Sequence, residues 1–161
     1  MADEPALNDD FVDLLRAFDD AGVDYVVVGA HALAAYGVVR ATGDLDVFVR
    51  PDPEVAVRVI AGLRAFGAPL VAHGVGVDDF ARPGTVYQMG LVPRRIDVLT
   101  EISGVSFEEA VREAIRLEVR GVTLRVIGRA ALLTNKRASA RPKDLEDVRL
   151  LDAVASEPED A

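Results

Sequence analysis

Three aspartates lie in hydrophobic segments, where burial of a carboxylate is costly unless it has a partner. Asp44 and Asp46 lie in the stretch RATGDLDVFV (residues 40–49), and Asp97 lies in RRIDVLT (residues 94–100). Alternate residues of a strand share one face about 6.6 Å apart, so Asp44 and Asp46 can converge on one site. Two unpaired carboxylates at the margin of a core are costly through desolvation and mutual repulsion, and a divalent cation relieves both costs.

A third carboxylate joins this site if the strand that carries Asp97 pairs beside residues 44–49. Hard oxygen ligands of this kind suit Mg²⁺, which shares its remaining coordination positions with substrate phosphates. Two such ions, about 3.5–4 Å apart, can activate an attacking hydroxyl and stabilise a leaving pyrophosphate. The alternative is that these acids lie at strand ends and only pair with Arg40, Arg50 or Arg95.

A glycine turn precedes the paired aspartates in VVVGAHALAAYG (residues 26–37). A strand that ends at Gly29 and opens a helix presents backbone N–H groups and the positive end of a helix dipole to phosphate oxygens. We expect Ala30 to contribute its backbone N–H and His31 a side-chain hydrogen bond. The alternative for His31 is a histidine at a helix start that is satisfied by backbone or water.

The order of glycine turn, paired acids and later single acid resembles the nucleotidyltransferase superfamily related to DNA polymerase beta. The resemblance covers about residues 24–100, and the matching residues are Val28, Gly29, Ala30, Asp44, Asp46 and Asp97. It implies that the three aspartates bind Mg²⁺ and that Asp97 helps to deprotonate a hydroxyl acceptor. The substrate would be an NTP such as ATP, and pyrophosphate would leave. Ala30 departs from the signature, which has Gly or Ser there: alanine retains the backbone N–H but, unlike serine, offers no hydroxyl to a phosphate.

The C-terminal stretch LLTNKRASARPKDLEDVRLL (residues 132–151) is similar to the last motif of small bacterial nucleotidyltransferases of abortive-infection and toxin-antitoxin systems. This resemblance implies that Lys136 and Asp144 belong to the active site, with Arg141 next to them. Lys136 would neutralise a triphosphate, and Asp144 would orient it or a substrate hydroxyl. Asp147 stays outside this predicted set, since it can simply cap or pair. The alternative is a solvated helix pair with local Lys–Asp bridges that contribute little.

Charge and composition limit the other possibilities. The net charge of the 161 residues is −9, but eight acidic side chains lie in residues 1–24 and four in residues 152–161, so the middle of the chain can attract an anionic ligand. The absence of cysteine excludes disulfides and thiolate zinc sites and favours a cytoplasmic protein. The apolar run at residues 25–39 is too short and interrupted for a membrane helix, and the acidic start excludes a secretory signal.

Periodicity predicts an α+β fold with a mixed or largely antiparallel sheet flanked by helices. We expect one nucleotidyltransferase-like domain over residues 1–161, with a core at about 24–100 and a helical C-terminal part at about 128–155. The predicted helices are 9–21, 30–37, 52–67, 106–114, 129–140 and 142–155. The predicted strands are 24–29, 44–49, 85–91 and 94–100, followed by a hairpin about Gly121.

Three functional alternatives remain open from the sequence. The first is an active enzyme whose acceptor is an RNA end, a protein or a small molecule, with a cognate antitoxin or other protein as its partner. The second is a catalytically silent member of the fold that binds nucleotide or a partner protein, and Ala30 favours it. The third is an unrelated phosphate-binding domain, in which Asp97 would lie away from Asp44 and Asp46.

Overall fold

The computed structural model describes residues 7–40 and 43–155, so both ends of the predicted domain lie outside the described residues. The helices are α1 (Asp9–Ala21), α2 (Gly29–Ala35), α3 (Pro53–Phe66), α4 (Leu70–His73), α5 (Val77–Phe80), α6 (Phe107–Arg112), α7 (Arg129–Ser139) and α8 (Pro142–Ala155). The strands are β1 (Tyr25–Val28), β2 (Leu45–Val49), β3 (Val86–Met89), β4 (Ile96–Leu99), β5 (Ile115–Val119) and β6 (Val122–Val126). Within this described part, none of the helices is both long and apolar enough to cross a membrane.

The six strands form one mixed sheet in the order β3-β4-β2-β1-β6-β5. Strands β2 and β4 are parallel, as are β1 and β6, and the remaining neighbours are antiparallel. The predicted mixed sheet flanked by helices is therefore confirmed. The central strands β1 and β2 are almost completely buried, which agrees with their runs of β-branched residues.

Side-chain caps begin three of the helices. Asn8 accepts a hydrogen bond from the backbone N–H of Phe11 at the start of α1, and Asp52 caps α3 in the same way. Ser106 and Glu109 form a reciprocal capping box at α6. These caps satisfy backbone donors that would otherwise have no partner in the first turn of each helix.

The core depends on close packing of α1 and α3. Phe11, Leu14, Leu15 and Phe18 of α1 are all buried, as their helical spacing predicts. A Cβ atom at Gly62 of α3 would collide with the Phe18 ring, so glycine at this position permits the two helices to approach. The buried residues of both helices belong to the same hydrophobic core as those of β1, β2 and β4.

Several boundaries differ from the predicted ones. Asp44 precedes β2 rather than lying within it, and residues 90–95 form a longer loop than the predicted turn between β3 and β4. This loop contains a cis peptide bond between Val92 and Pro93. The short helices α4 and α5 were not predicted, because four residues are too few to display helical periodicity.

Candidate active site

The sheet register brings two of the predicted aspartates side by side. Asp46 of β2 is the direct partner of Asp97 in the parallel strand β4, so their side chains leave the same face of the sheet. Asp44 lies two residues before Asp46, at the entrance to β2. The alternative in which Asp97 lies away from the paired acids is therefore wrong.

Arg95 links the outer two aspartates. Its Nε and Nη2 atoms donate to the two carboxylate oxygens of Asp97 at 2.7 and 3.1 Å. Its backbone N–H donates to Oδ1 of Asp44 at 3.0 Å, and its Nη2 lies 3.6 Å from Oδ2 of the same residue. A bidentate arginine pair of this kind is among the stronger charge-assisted contacts, so the positions of Asp44 and Asp97 are well defined.

Of the three aspartates, Asp46 has the carboxyl group that is most costly to ionise. Burial, followed by the nearby charges of Asp97 and Asp44, raises the pKa of Asp46 to about 7, although Arg95 opposes the shift. A positive charge placed at this point of the sheet would favour the ionised form. The site therefore attracts a cation.

The fit to Mg²⁺ follows from this donor set. Within residues 7–40 and 43–155, no three Asp, Glu or His side chains already surround a common metal position. Both oxygens of Asp97 accept hydrogen bonds from Arg95. Mg²⁺ usually takes one or two protein carboxylates and completes its shell with water and phosphate oxygens, so the carboxylates of Asp44 and Asp46 would fit this ion.

Gly29 has a steric role beside Asp46. Its φ angle is +68°, in the left-handed region, and a Cβ atom added there would collide with the Asp46 carboxylate. Helix α2, which starts at Gly29, has only seven residues. Its dipole therefore supports the predicted phosphate site less than that of a longer helix would. Glycine at this position makes room for the Asp46 carboxylate, and Gly29 and Ala30 both line a cleft of about 740 Å³.

His31 does not line this cleft, contrary to its predicted role beside a phosphate. Its ring is buried against Phe11 of α1, edge to face at 5.5 Å, and its Nε2 lies 3.3 Å from the carbonyl oxygen of Gly43. Burial lowers the pKa of His31, which favours the neutral ring. The structure therefore gives His31 a packing role that also ties α2 to the segment before Asp44.

The C-terminal helices contribute a buried cluster of charges. Lys136 of α7 is only 6% exposed, and its Nζ lies 3.4 Å from Oδ1 of Asp144 in α8. Arg141, between the helices, donates to Asp144 through Nε at 2.7 Å and Nη2 at 3.2 Å. Burial opposes ionisation of Asp144, yet the bonds from Arg141 and the charge of Lys136 outweigh it, so its pKa is lowered.

Asp144 therefore differs from its predicted role as a residue that meets the substrate. Its side chain is completely buried. It lines neither the cleft of about 740 Å³ nor a second cleft, of about 670 Å³, that also borders on Asp46. Lys136 and Arg141 do line those clefts. Asp144 is thus a positioning residue that acts by holding these two cations in place.

Asp147, which the sequence analysis left out, belongs to the site. Its carboxylate is fully buried, forms an ion pair with Arg40 and lies 3.1 Å from the Nζ of Lys136. Neither of its oxygens accepts a hydrogen bond of normal geometry from any described residue, so charge pairing alone compensates its burial. One available signal was its spacing: Asp144 and Asp147 are three residues apart and share a helix face.

These groups surround a cleft of about 740 Å³, which we call the first cleft. Gly29, Ala30 and the three predicted metal-binding aspartates line one part of it. The basic residues of its lining are Arg40, Arg95, Lys136, Arg141 and Lys143. Lys143 makes no ion pair with any described residue, so its charge is free to meet an anion. The first cleft can therefore hold a polyanion and a cation together, as a metal-bound triphosphate requires.

The chain resembles known proteins in family and in fold. No curated protein matches the sequence at a significant level. The solved structure of a candidate nucleotidyltransferase from Thermotoga maritima is 15% identical, and the match covers 98% of this chain and 100% of that one with a TM-score of 0.53. At that identity the likeness shows the fold alone. Residues 8–160 match the model of the family described as nucleotidyl transferase of unknown function (DUF2204), and the chain therefore belongs to this family.

Proposed function

We propose that the protein is a Mg²⁺-dependent nucleotidyltransferase that transfers a nucleoside monophosphate from an NTP to a hydroxyl acceptor. The observation that carries this proposal is the pairing of Asp46 with Asp97, beside Asp44, in a cleft that also holds several cations. Asp44 and Asp46 would hold Mg²⁺, which supplies charge neutralisation and polarisation of the phosphate oxygens.

The chain's own residues would perform the remaining tasks. The acceptor oxygen bonds to the α-phosphorus, the bond from that phosphorus to the bridging oxygen breaks, and pyrophosphate leaves. Asp97 accepts the proton of the acceptor hydroxyl. Lys136, Arg141 and Lys143 neutralise the triphosphate, and most of the rate enhancement comes from positioning and electrostatics.

Arg95 must release Asp97 before that proton can be transferred. In the structure the guanidinium occupies both oxygens of Asp97 and also contacts Asp44. Cation binding at Asp44 and Asp46 would repel the guanidinium, which can then turn towards a phosphate in the same cleft. Arg95 is thus a counter-ion of the free enzyme that substrate binding displaces.

The acceptor is proposed from the sequence resemblance and the charge of the cleft. Similarity of the last motif to toxin-antitoxin nucleotidyltransferases favours an RNA end or a protein hydroxyl, with an antitoxin as the cognate partner. A small molecule is the remaining option. An RNA acceptor would be held largely by Lys and Arg, so its binding would weaken steeply with salt.

A catalytically silent, nucleotide-binding protein is the second candidate function. The engagement of Asp97 by Arg95 favours it, because a permanently held carboxylate cannot accept a proton. Ala30, which stands where the superfamily signature has Gly or Ser, points the same way.

A label-transfer assay separates the two functions. The purified protein is incubated with each α-labelled NTP, Mg²⁺ and separate pools of RNA, protein and small metabolites. An active enzyme labels one pool and releases pyrophosphate. The label is lost with EDTA and in Asp46→Asn, and it is retained in Asp10→Asn, which makes the same charge change at an exposed position of α1. Metal-dependent NTP binding without transfer to any pool would favour the silent protein.

A further inference from the structure

A second cleft, of about 670 Å³, lies beside the first. Both clefts border on the same wall, which consists of Gly29, Asp46, Leu99, Lys136 and Arg141. Asp46, the residue closest to the expected metal, is thus accessible from both sides. Each volume lies within the range of about 300–1,000 Å³ that is typical of small-molecule sites.

The second cleft differs from the first in charge. Beyond the shared wall, its described lining contains a single charged residue, Glu101, and neither lysine nor arginine. Its other polar groups are neutral, from Ser103, Asn135 and Ser139, and Val86 and Ile102 add apolar surface. A polyphosphate needs cations, so this part of the molecule suits an uncharged group with hydroxyls, amide-like edges and flat apolar faces.

The far side of the second cleft is held in place by tertiary contacts. The Nδ2 of Asn135 in α7 donates to the carbonyl oxygen of Ser103 at 3.0 Å. Gly104, with φ of +73°, packs so closely on α7 that a Cβ atom there would collide with Ala138. An isolated bridge between Ile102 and Val105 closes the loop. The second cleft is therefore preformed, which lowers the entropic cost of binding.

The stereochemistry of the proposed transfer requires three directions of access to the α-phosphorus. The attacking and leaving oxygens lie in line on opposite sides, and the 5′-oxygen that leads to the nucleoside lies between them. Asp97, the proposed base, lines the first cleft and not the second. The acceptor must therefore approach from the first cleft, which also contains the cations for the leaving pyrophosphate.

We propose that the second cleft binds the nucleoside of the substrate NTP, with Ser139 and Val86 in its walls and Asn135 and Glu101 as polar partners of the ribose or base. This assignment rests on the proposed function and adds to it the division of the substrate between two clefts. The triphosphate lies in the first cleft, and the reacting phosphorus lies at Asp46, where the two clefts meet.

Blocking variants test this division by calorimetry, with Mg²⁺ and either NTP or inorganic tripolyphosphate as the probe. Val86→Trp fills the second cleft from an edge-strand position that is 57% exposed, so the larger side chain does not disturb the core. Ser139→Phe fills it from α7. Val57→Trp is the matched control, because Val57 of α3 is also 57% exposed and lines neither cleft.

The two probes give distinguishable outcomes. We expect both blocking variants to bind NTP at least about tenfold more weakly and tripolyphosphate within about twofold of wild type, with the control unchanged for both. Unchanged NTP affinity in the folded Val86→Trp and Ser139→Phe variants would overturn the assignment and give the second cleft to the acceptor. Failure of wild type to bind either probe would contradict the proposed function itself.

Discussion

Replacement of Gly29 by alanine tests the steric relation between the glycine turn and Asp46. The left-handed φ of +68° costs an alanine about 1–2 kcal/mol. The new Cβ atom would also collide with the Asp46 carboxylate, and overpacking of this kind costs about a further 1–3 kcal/mol. We therefore expect Gly29→Ala to lose about 2–5 kcal/mol of unfolding free energy, together with the metal-dependent binding of NTP.

Gly74→Ala is the matched control. Gly74 has a φ of +65°, almost the same backbone conformation, but a Cβ atom added there would meet no described atom within 4 Å beyond its own chain neighbours and helix backbone. This variant should therefore lose only the conformational part, about 1–2 kcal/mol, and should bind NTP as wild type does.

Urea denaturation gives the free energies, and calorimetry with Mg²⁺ and NTP gives the binding. The difference between the two variants isolates the contact between position 29 and Asp46 from backbone strain. If Gly29→Ala matched Gly74→Ala in both stability and NTP affinity, the proposed role of Gly29 in making room for Asp46 would be refuted.

Three further predictions concern the charged groups. Arg95→Met should bind Mg²⁺ more tightly than wild type in calorimetry without nucleotide, because a competing cation is removed from Asp97; equal affinity would argue against the counter-ion role. The pKa of Asp46 is raised from 3.8 to about 7, so the folded state keeps a proton that the unfolded state has lost. The stability of wild type relative to Asp46→Asn, measured by urea denaturation, should therefore fall as pH rises from about 4 and level off above about 7. A stability difference that does not depend on pH would contradict the raised pKa of Asp46. Lys136→Met leaves the buried charges of Asp144 and Asp147 with less compensation and should lose about 3–5 kcal/mol of unfolding free energy in the same measurement. Adding Asp147→Leu should restore part of this loss. No recovery in the double variant would count against Asp147 as a partner of Lys136.

The main elements of the fold could be predicted because the relevant signals are local. The caps at Asn8, Asp52 and Ser106 and the β-branched strands lie within a few residues of the structures they determine. The pairing of Asp46 with Asp97 could be expected because each carboxylate interrupts an apolar strand. The boundaries around residues 90–95 could not, since the turn depends on contacts of the loop rather than on a repeating pattern.

The candidate site could be predicted only in part. His31 follows the glycine turn in sequence, but its burial depends on Phe11 in a distant helix. The role of Asp144 depends on how α8 packs on Lys136, which no spacing reveals. Arg95 had a readable signal, because residues i and i+2 of an extended chain share a face and Arg95 precedes Asp97 by two.

The second cleft had no such signal. It forms where the loop that contains Ser103 meets Asn135 of α7, and these residues are far apart in the chain. Neutral polar residues such as Ser139 also occur throughout solvated helices, so their chemistry becomes informative only when the fold places them beside Asp46.

The most direct test of the central claim is calorimetric titration of NTP into wild type, Asp46→Asn and Asp10→Asn, each with Mg²⁺ and with EDTA. We expect binding that requires the metal, is lost in Asp46→Asn and is retained in Asp10→Asn. Binding of equal affinity in EDTA, or undiminished binding in folded Asp46→Asn, would show that the aspartate site does not hold a metal-bound nucleotide.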